Sequence, residues 1–187
     1  MSNWTEKKTI ICEVELKTRK RVLKKTFDNN NSPTVLFQID EDYLLVGTAD
    51  GKLEMWNIEH EKIVLQHDAH ENSQQGISSI VELRDPSYCL RGERGDADPE
   101  IRYLVTSCFD RPEFKMWKMN VHASQGKPEL SFHLQIATSL TGISRILQST
   151  PSQLVCVDPA QTLKFYDFVD RVEQRKKESF EEKVAKF

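Results

Sequence analysis

The segment from Gly47 to Asn57 reads as the end of one strand, a tight turn and a second strand that closes on Trp56-Asn57. The turn contains an Asp-Gly pair between two alternating apolar runs, which is a strong hairpin signal because glycine tolerates the positive φ that the turn needs. A related hairpin recurs at residues 105–118, and a fainter copy recurs at 154–167. Recurrence on this scale predicts a repeat architecture.

These hairpins resemble blades of the WD-repeat β-propeller family. The residues that carry the resemblance match the hydroxyl, turn, tryptophan and histidine positions of a WD blade: Thr48, Asp50, Trp56, His70, Ser107, Asp110 and Trp117. In the second blade Cys108 falls at the hydroxyl position and Ser107 one place before it, and in the third Tyr166-Asp167 replaces Trp-Asp. The resemblance implies that these polar side chains form a structural hydrogen-bond network, which satisfies buried groups and needs no catalytic role.

The expected fold is therefore all-β, with WD-repeat propeller blades in an incomplete ring and a charged C-terminal helix. The predicted order is an N-terminal lead (1–8), a half blade (9–27), three blades (34–66, 77–136 and 142–170) and a helical tail (171–187). The half blade has only two strands, which read as the outer strands of a blade.

The ring cannot close with this number of strands. A blade takes about 40 to 45 residues and a seven-bladed ring about 300. Terminal repeats must be capped or completed, because repeats bury their faces only by stacking. We therefore expect this chain to be part of a larger propeller, either as a portion of a longer protein or completed by another chain or segment. Two copies of this chain would still leave each junction without inner strands.

Two segments stand out as candidates for partner contact. Residues 84–100 form a charged insertion with two prolines and two glycines, which predicts a surface loop on a face that repeat proteins often use for binding. The tail has charges of both signs and one narrow apolar stripe at helical spacing. The candidate partner-binding residues are Arg91, Glu93, Arg94 and Asp96 in the insertion, and Phe180, Val184 and Phe187 in the tail.

Charge, hydropathy and cysteine content limit the partners and the cellular compartment that we expect for this chain. The net charge of −3 gives no general attraction to nucleic acid or anionic lipid. The sequence has no apolar run that could span a bilayer and no signal peptide at its start, so we expect no membrane association. The four cysteines are scattered without a Cys-x-x-Cys pair, which favours a reduced cytoplasmic setting.

Other motifs have simpler structural explanations. His67-x-x-His70 offers two of the three or four ligands that zinc needs, so we expect no metal site and no cofactor. Arg94-Gly95-Asp96 spells an adhesion tripeptide without an extracellular context. The basic run at 17–25 could bind phosphate or act as a nuclear signal, but its apolar interruptions favour an outer strand with charges facing water.

The function that these observations favour is a non-enzymatic scaffold that mediates protein–protein interactions within a larger complex. A cytoskeletal or ciliary assembly is the finer expectation, since partial propellers and docking tails suit multi-chain machines. One alternative is a nucleic-acid-associated module that uses the basic hairpin 17–25. Another is an enzymatic or small-ligand propeller, which would need clustered histidines or carboxylates that the sequence does not show.

Overall fold

The computed structural model describes residues 8–15, 20–28, 31–84, 101–121, 123 and 127–167, with backbone alone for residues 8–28. The described residues contain thirteen β-strands and no helix. In chain order these are β1 (Lys8–Glu15), β2 (Lys20–Asp28), β3 (Pro33–Gln38), β4 (Tyr43–Thr48), β5 (Lys52–Asn57), β6 (Lys62–Asp68), β7 (Ile77–Glu82), β8 (Ile101–Cys108), β9 (Glu113–Asn120), β10 (Glu129–Ala137), β11 (Arg145–Thr150), β12 (Gln153–Val157) and β13 (Leu163–Asp167).

The strands form a hairpin and three antiparallel sheets. The hairpin pairs β1 with β2, and the sheets have the orders β3-β4-β5-β6, β7-β8-β9-β10 and β11-β12-β13. We call these sheets blade 1, blade 2 and blade 3. Strand order follows chain order within each blade, as expected for sheets built from successive hairpins. The predicted fold class, all-β with propeller blades in an open ring, is confirmed; the predicted tail helix lies outside the described residues.

The blades are arranged around their first strands. Strand β3 packs against β7, and β7 packs against β11, so the inner strands of successive blades are neighbours. Because the part of the chain that the structure describes is built from strands, it offers no helix that could cross a membrane.

The Asp-Gly turn of blade 1 requires its glycine. Gly51 has a φ of 81°, which is in the left-handed region, and a Cβ atom there would lie 2.2 Å from the carbonyl oxygen of His70. The carbonyl of Gly51 in turn accepts a 2.9 Å hydrogen bond from the backbone N–H of His70. This turn therefore contacts the loop that leads into blade 2.

Apolar side chains fill the space between successive blades. We call the face of a blade that points to the preceding blade its leading face, and the opposite one its trailing face. Met55 on the trailing face of blade 1 belongs to one buried cluster with Ile80 and Trp117 on the leading face of blade 2. Phe114 on the trailing face of blade 2 belongs to a second cluster with Ile146 of blade 3. Blades 1 and 2 thus bury their trailing faces by stacking.

Candidate interaction surface

A buried histidine connects the loop before blade 2 to two strands of that blade. The Nε2 atom of His70 lies 2.9 Å from the hydroxyl oxygen of Thr106 on β8. The indole N–H of Trp117 on β9 donates to the same oxygen over 2.8 Å. The shared hydroxyl satisfies two buried groups at once and fixes the positions of the loop and both strands.

The surroundings of His70 keep it neutral. Burial lowers the pKa of its imidazole to about 4, and the nearby positive charge of Lys115 acts in the same direction. Its Nδ1 atom is buried and has no hydrogen-bond partner among the described residues. A second proton on the ring would create a buried charge, so His70 acts as a structural group at neutral pH.

Asp110 joins the turn of blade 2 to the loop that precedes the blade. Its carboxylate accepts a 2.8 Å hydrogen bond from the Ser73 hydroxyl and a 2.7 Å bond from the backbone N–H of Gln74. Partial burial alone would raise the pKa of Asp110, but these hydrogen bonds outweigh it and hold the pKa below its usual value. Asp110 and His70 thus anchor the same loop through different partners.

In blade 1 the residues predicted to form the hydrogen-bond network are connected differently from those of blade 2. The Thr48 hydroxyl lies 2.6 Å from a carboxylate oxygen of Asp50 and accepts the backbone N–H of Lys52 at 3.0 Å, so it stabilises the turn. The indole N–H of Trp56 donates to the Glu54 carboxylate at 3.3 Å. The structure therefore brings Thr48 and Asp50 together but does not connect Trp56 to them.

The cross-strand register explains this difference between the blades. Trp117 pairs with Leu104, and Thr106 lies two residues farther along β8 on the same face. Trp56 pairs with Leu44, and the residue two places farther along β4 is Val46, which has no hydroxyl. The indole of Trp56 therefore needs another acceptor.

Sequence reasoning placed Ser107 in the blade network, but Thr106 provides the hydroxyl. Side chains alternate between the two faces of a strand, so Ser107 points away from Trp117. The Ser107 hydroxyl lies 2.9 Å from that of Ser78. The Ser78 hydroxyl also donates to the carbonyl of Ile143, which lies just before β11. Sequence reasoning also missed Thr106, for which the face shared with Leu104 was the available signal. It missed Ser73 as well, which lies in the loop before β7 and donates to Asp110.

The buried cysteines and the histidine pair provide no reactive or metal-binding cluster in the described part of the chain. Burial raises the pKa of the Cys108 and Cys156 thiols to about 12, so both stay protonated at neutral pH. The ring of His67 packs edge-on against Trp117, with centroids 4.9 Å apart, while His70 reaches Thr106. No three potential metal ligands converge among the described residues.

The residues predicted to contact partners lie outside the described part of the chain. These are Arg91, Glu93, Arg94, Asp96, Phe180, Val184 and Phe187. Of the basic hairpin 17–25, the structure describes the backbone from residue 20 onward, as part of β2. These assignments stay predictions.

Blade 3 turns an apolar face to solvent. Leu147, Leu163 and Phe165 are 57%, 58% and 60% exposed. They are neighbours across the sheet, since Val155 on β12 pairs with both Leu147 and Phe165, and Val157 pairs with Leu163. Large apolar side chains gathered on one face are typical of a surface that contacts another protein.

The same positions are buried in the other blades. The blades can be aligned by the pairing of their second and third strands. In this alignment Leu163 and Phe165 correspond to third-strand residues of blades 1 and 2 that are completely buried under the next blade. Those buried equivalents are Leu53, Met55, Phe114 and Met116. Leu163 and Phe165 therefore mark the trailing face of blade 3, and the described residues place no blade on it.

The edge of blade 3 is also incomplete within the described ranges. In blades 1 and 2 the third strand pairs with a fourth, β6 or β10. Strand β13 is the third strand of blade 3, and no fourth strand pairs with it in the described residues. An exposed strand edge offers unpaired backbone groups to an additional strand.

Comparison with solved structures identifies the architecture. The chain is similar to the WD40 β-propeller domain of Doa1, with 15% identity and a TM-score of 0.51 over 76% of this chain and 40% of that one. It also matches the Myceliophteria thermophila Cps50 (Swd1) propeller domain, with 14% identity and a TM-score of 0.49 over 76% of this chain and 37% of that one. A computationally designed protein, Ika4, matches with 14% identity and a TM-score of 0.48 over 78% of this chain and 72% of its own.

No family model and no curated protein matches the sequence. The alignments span about two fifths of the Doa1 and Swd1 propeller domains. At this level of identity the likeness concerns the fold alone. The chain therefore has the fold of a partial WD40-type β-propeller.

Proposed function

We propose that this chain is a non-enzymatic scaffold that mediates protein–protein interactions within a larger complex. The observation that carries the proposal is the exposed trailing face of blade 3. Leu163 and Phe165 occupy positions that the two preceding blades bury completely. Burying such a face against another protein removes apolar surface from water, at about 25 cal/mol per Å².

The polar chemistry of the described residues supports a structural role. His70, Cys108 and Cys156 have strongly shifted pKa values, and all three are buried within the clusters and loops between blades. Groups in such positions meet neighbouring blades, whereas a catalytic group with a shifted pKa belongs in a cleft that substrate can enter. The hydrogen bonds of His70 and Asp110 hold the blade and its preceding loop together.

The proposal also covers the partners of this chain and its cellular location. We propose that the partners include a chain or segment that completes the propeller, with the insertion at 84–100 and the tail at 171–187 as further contact regions. The proposed setting is the cytoplasm, within a cytoskeletal or ciliary assembly. The charged insertion and tail in the sequence support these proposals, together with the lack of a fourth strand in blade 3 among the described residues.

Affinity purification with quantitative mass spectrometry tests the scaffold role. Wild-type protein, Phe165→Lys and the control Gln75→Lys would be compared as baits at equal expression. Gln75 is exposed in the loop before β7, so the control adds the same charge away from the trailing face. We expect a set of proteins that the wild type and the control capture and Phe165→Lys loses. Identical capture by all three baits would refute the proposed role of this face.

A further inference from the structure

Two of the seven prolines follow a serine or a threonine, and the structure gives the two pairs different surroundings. Ser32-Pro33 is half-buried at the start of β3, and the carbonyl of Ser32 accepts the backbone N–H of Ala49 over 2.9 Å. Thr150-Pro151 is exposed and begins the turn between β11 and β12. Proline-directed protein kinases modify a serine or threonine that precedes proline, and they must reach its hydroxyl from solvent. Thr150 meets this requirement and Ser32 does not.

Thr150 lies at the tip of its hairpin, beyond an interruption of the strand pairing. It pairs with Gln153, but the register shifts between Gln148 and Thr150, so Ser149 has no cross-strand partner. A bulge of this kind disrupts the ladder locally. The tip can therefore open by losing one cross-strand pair while the pairs from Gln148 inward are kept. This gives a kinase the extended backbone that it needs around the modified hydroxyl.

An arginine that follows β7 lies beside this turn. The side-chain nitrogen of Gln148 donates both to the carbonyl of Arg84 over 3.0 Å and to the carbonyl of Pro151 over 3.2 Å. The side-chain oxygen of Gln148 accepts the backbone N–H of Arg84 over 2.6 Å. These bonds use the backbone of Arg84, so its exposed side chain takes no part in them. One glutamine thus holds a positively charged residue next to Thr150-Pro151.

We infer that Thr150 is a phosphorylation site of a proline-directed protein kinase and that Arg84 binds the phosphate. In the transfer the Thr150 hydroxyl oxygen forms a bond to the γ-phosphorus of ATP. The bond from that phosphorus to the oxygen that bridges it to the β-phosphorus breaks, and ADP leaves with this oxygen. The hydroxyl proton passes to the catalytic carboxylate of the kinase.

The modification changes the charge at the contact between blade 3 and the residue after β7. Phosphothreonine carries a charge of about −1.5 to −2 at pH 7, and a guanidinium can bind it through two parallel hydrogen bonds. The phosphate therefore adds an ion pair to a contact that Gln148 makes through neutral hydrogen bonds. Arg84 is the first residue of the insertion 84–100, so the pair forms at the base of a proposed contact region. The inference goes beyond the scaffold role and does not depend on the trailing face of blade 3.

Phosphorylation of the intact, folded chain in vitro tests the site. The protein would be incubated with ATP and a cyclin-dependent kinase, and the modified residues would be mapped by mass spectrometry. We expect phosphate on Thr150 in the wild type and in the control Ser152→Ala, and loss of modification at this turn in Thr150→Ala and Pro151→Ala. Thr150→Ser, which keeps a hydroxyl, should restore it.

The substituted positions Thr150 and Pro151 are exposed, so circular dichroism should show the wild-type melting profile for their variants. A folded wild type that takes up no phosphate at Thr150, or that takes it up faster at Ser32, would overturn the inference. Equal modification of Pro151→Ala and the wild type would show that the kinase class is wrong.

Phosphorus NMR of the phosphorylated protein tests the role of Arg84. A bound guanidinium stabilises the dianion, so the second pKa of the phosphate should lie below its ordinary value of about 6. Arg84→Gln keeps the backbone groups that Gln148 binds and should raise this pKa toward 6. The control Arg145→Gln, exposed at the opposite end of β11, should leave it unchanged. An equal pKa in the wild type and Arg84→Gln would overturn the assignment of Arg84.

Discussion

The indole N–H of Trp117 and the hydroxyl of Thr106 form a 2.8 Å hydrogen bond that lies wholly inside the protein. The same hydroxyl lies 2.9 Å from Nε2 of His70, so one threonine serves two buried polar groups that come from different segments. This arrangement fastens the loop before blade 2 to the middle of that blade. The connection between blades 1 and 2 is therefore held in place by hydrogen bonds inside blade 2.

Thr106→Val should destabilise the fold. The substitution keeps the side-chain shape but leaves the Trp117 N–H and a ring nitrogen of His70 buried without this partner, which costs about 1–3 kcal/mol per unsatisfied group. Urea denaturation would measure the loss. Thr162→Val, at an exposed position, is the matched control and should change the free energy of unfolding by less than about 0.5 kcal/mol. Equal stability of the two variants would contradict the role of this hydroxyl.

Protonation of His70 should make stability fall in mild acid. Its pKa is about 4 in the folded protein against an ordinary 6.5, so the unfolded chain takes up the proton first as pH falls. The stability that the protein keeps because His70 is neutral is therefore fully present above pH 6.5. It is lost as pH falls toward about 4, and the total loss is about 3 kcal/mol. His70→Gln should flatten this part of the stability-against-pH curve. An unchanged slope in the variant would rule His70 out as its source.

Glu54 should limit stability at neutral pH. The residue is buried, and desolvation raises the pKa of its carboxyl above 4.5 although the Trp56 N–H donates to it. The folded state therefore resists ionisation more than the unfolded chain does. Glu54→Gln, which keeps an acceptor for Trp56, should raise the melting temperature near pH 7, and the gain should shrink as pH falls through the raised pKa toward 4.5.

Thermal melts of Glu54→Gln across this pH range would test the effect, with the exposed Glu71→Gln as control. A gain that stays constant with pH, or one that the control shares, would show that ionisation of Glu54 is not the cause.

Cys108 and Cys156 should resist thiol reagents until the protein unfolds. Both thiols are buried, and their pKa of about 12 leaves almost no thiolate at neutral pH. In a chain with Cys12→Ser and Cys89→Ser, an aromatic disulfide reagent should react slowly with the native protein and rapidly in denaturant. Fast native labelling of either cysteine would mean that its blade opens readily or is packed differently.

The strands were predictable because their signals are local. The hairpins at 47–57, 105–118 and 154–167 follow from two-residue alternation and turn chemistry, and the structure has the strand pairs β4–β5, β8–β9 and β12–β13 there. The choice between Thr106 and Ser107 was not predictable in this way. It depends on which residue of β8 shares a face with Trp117, and this is a property of the register between strands.

The exposure of the trailing face of blade 3 could not be predicted from local sequence patterns either. Strand counting predicted an incomplete ring, but the alternation around Leu163 and Phe165 looks the same whether or not a further blade covers them. Their exposure becomes visible only by comparison with Met55 and Met116, which occupy the position of Phe165 in covered blades.

The central claim is that the trailing face of blade 3 is an exposed surface of the kind that blades 1 and 2 bury under the next blade. Hydroxyl-radical footprinting of the intact chain tests this directly by comparing the oxidation rates of the exposed Phe165 and the buried Phe114. In dilute solution Phe165 should be oxidised at a rate close to that of a free aromatic side chain, while Phe114 is protected. Protection of Phe165 equal to that of Phe114 at the lowest concentration would contradict the account.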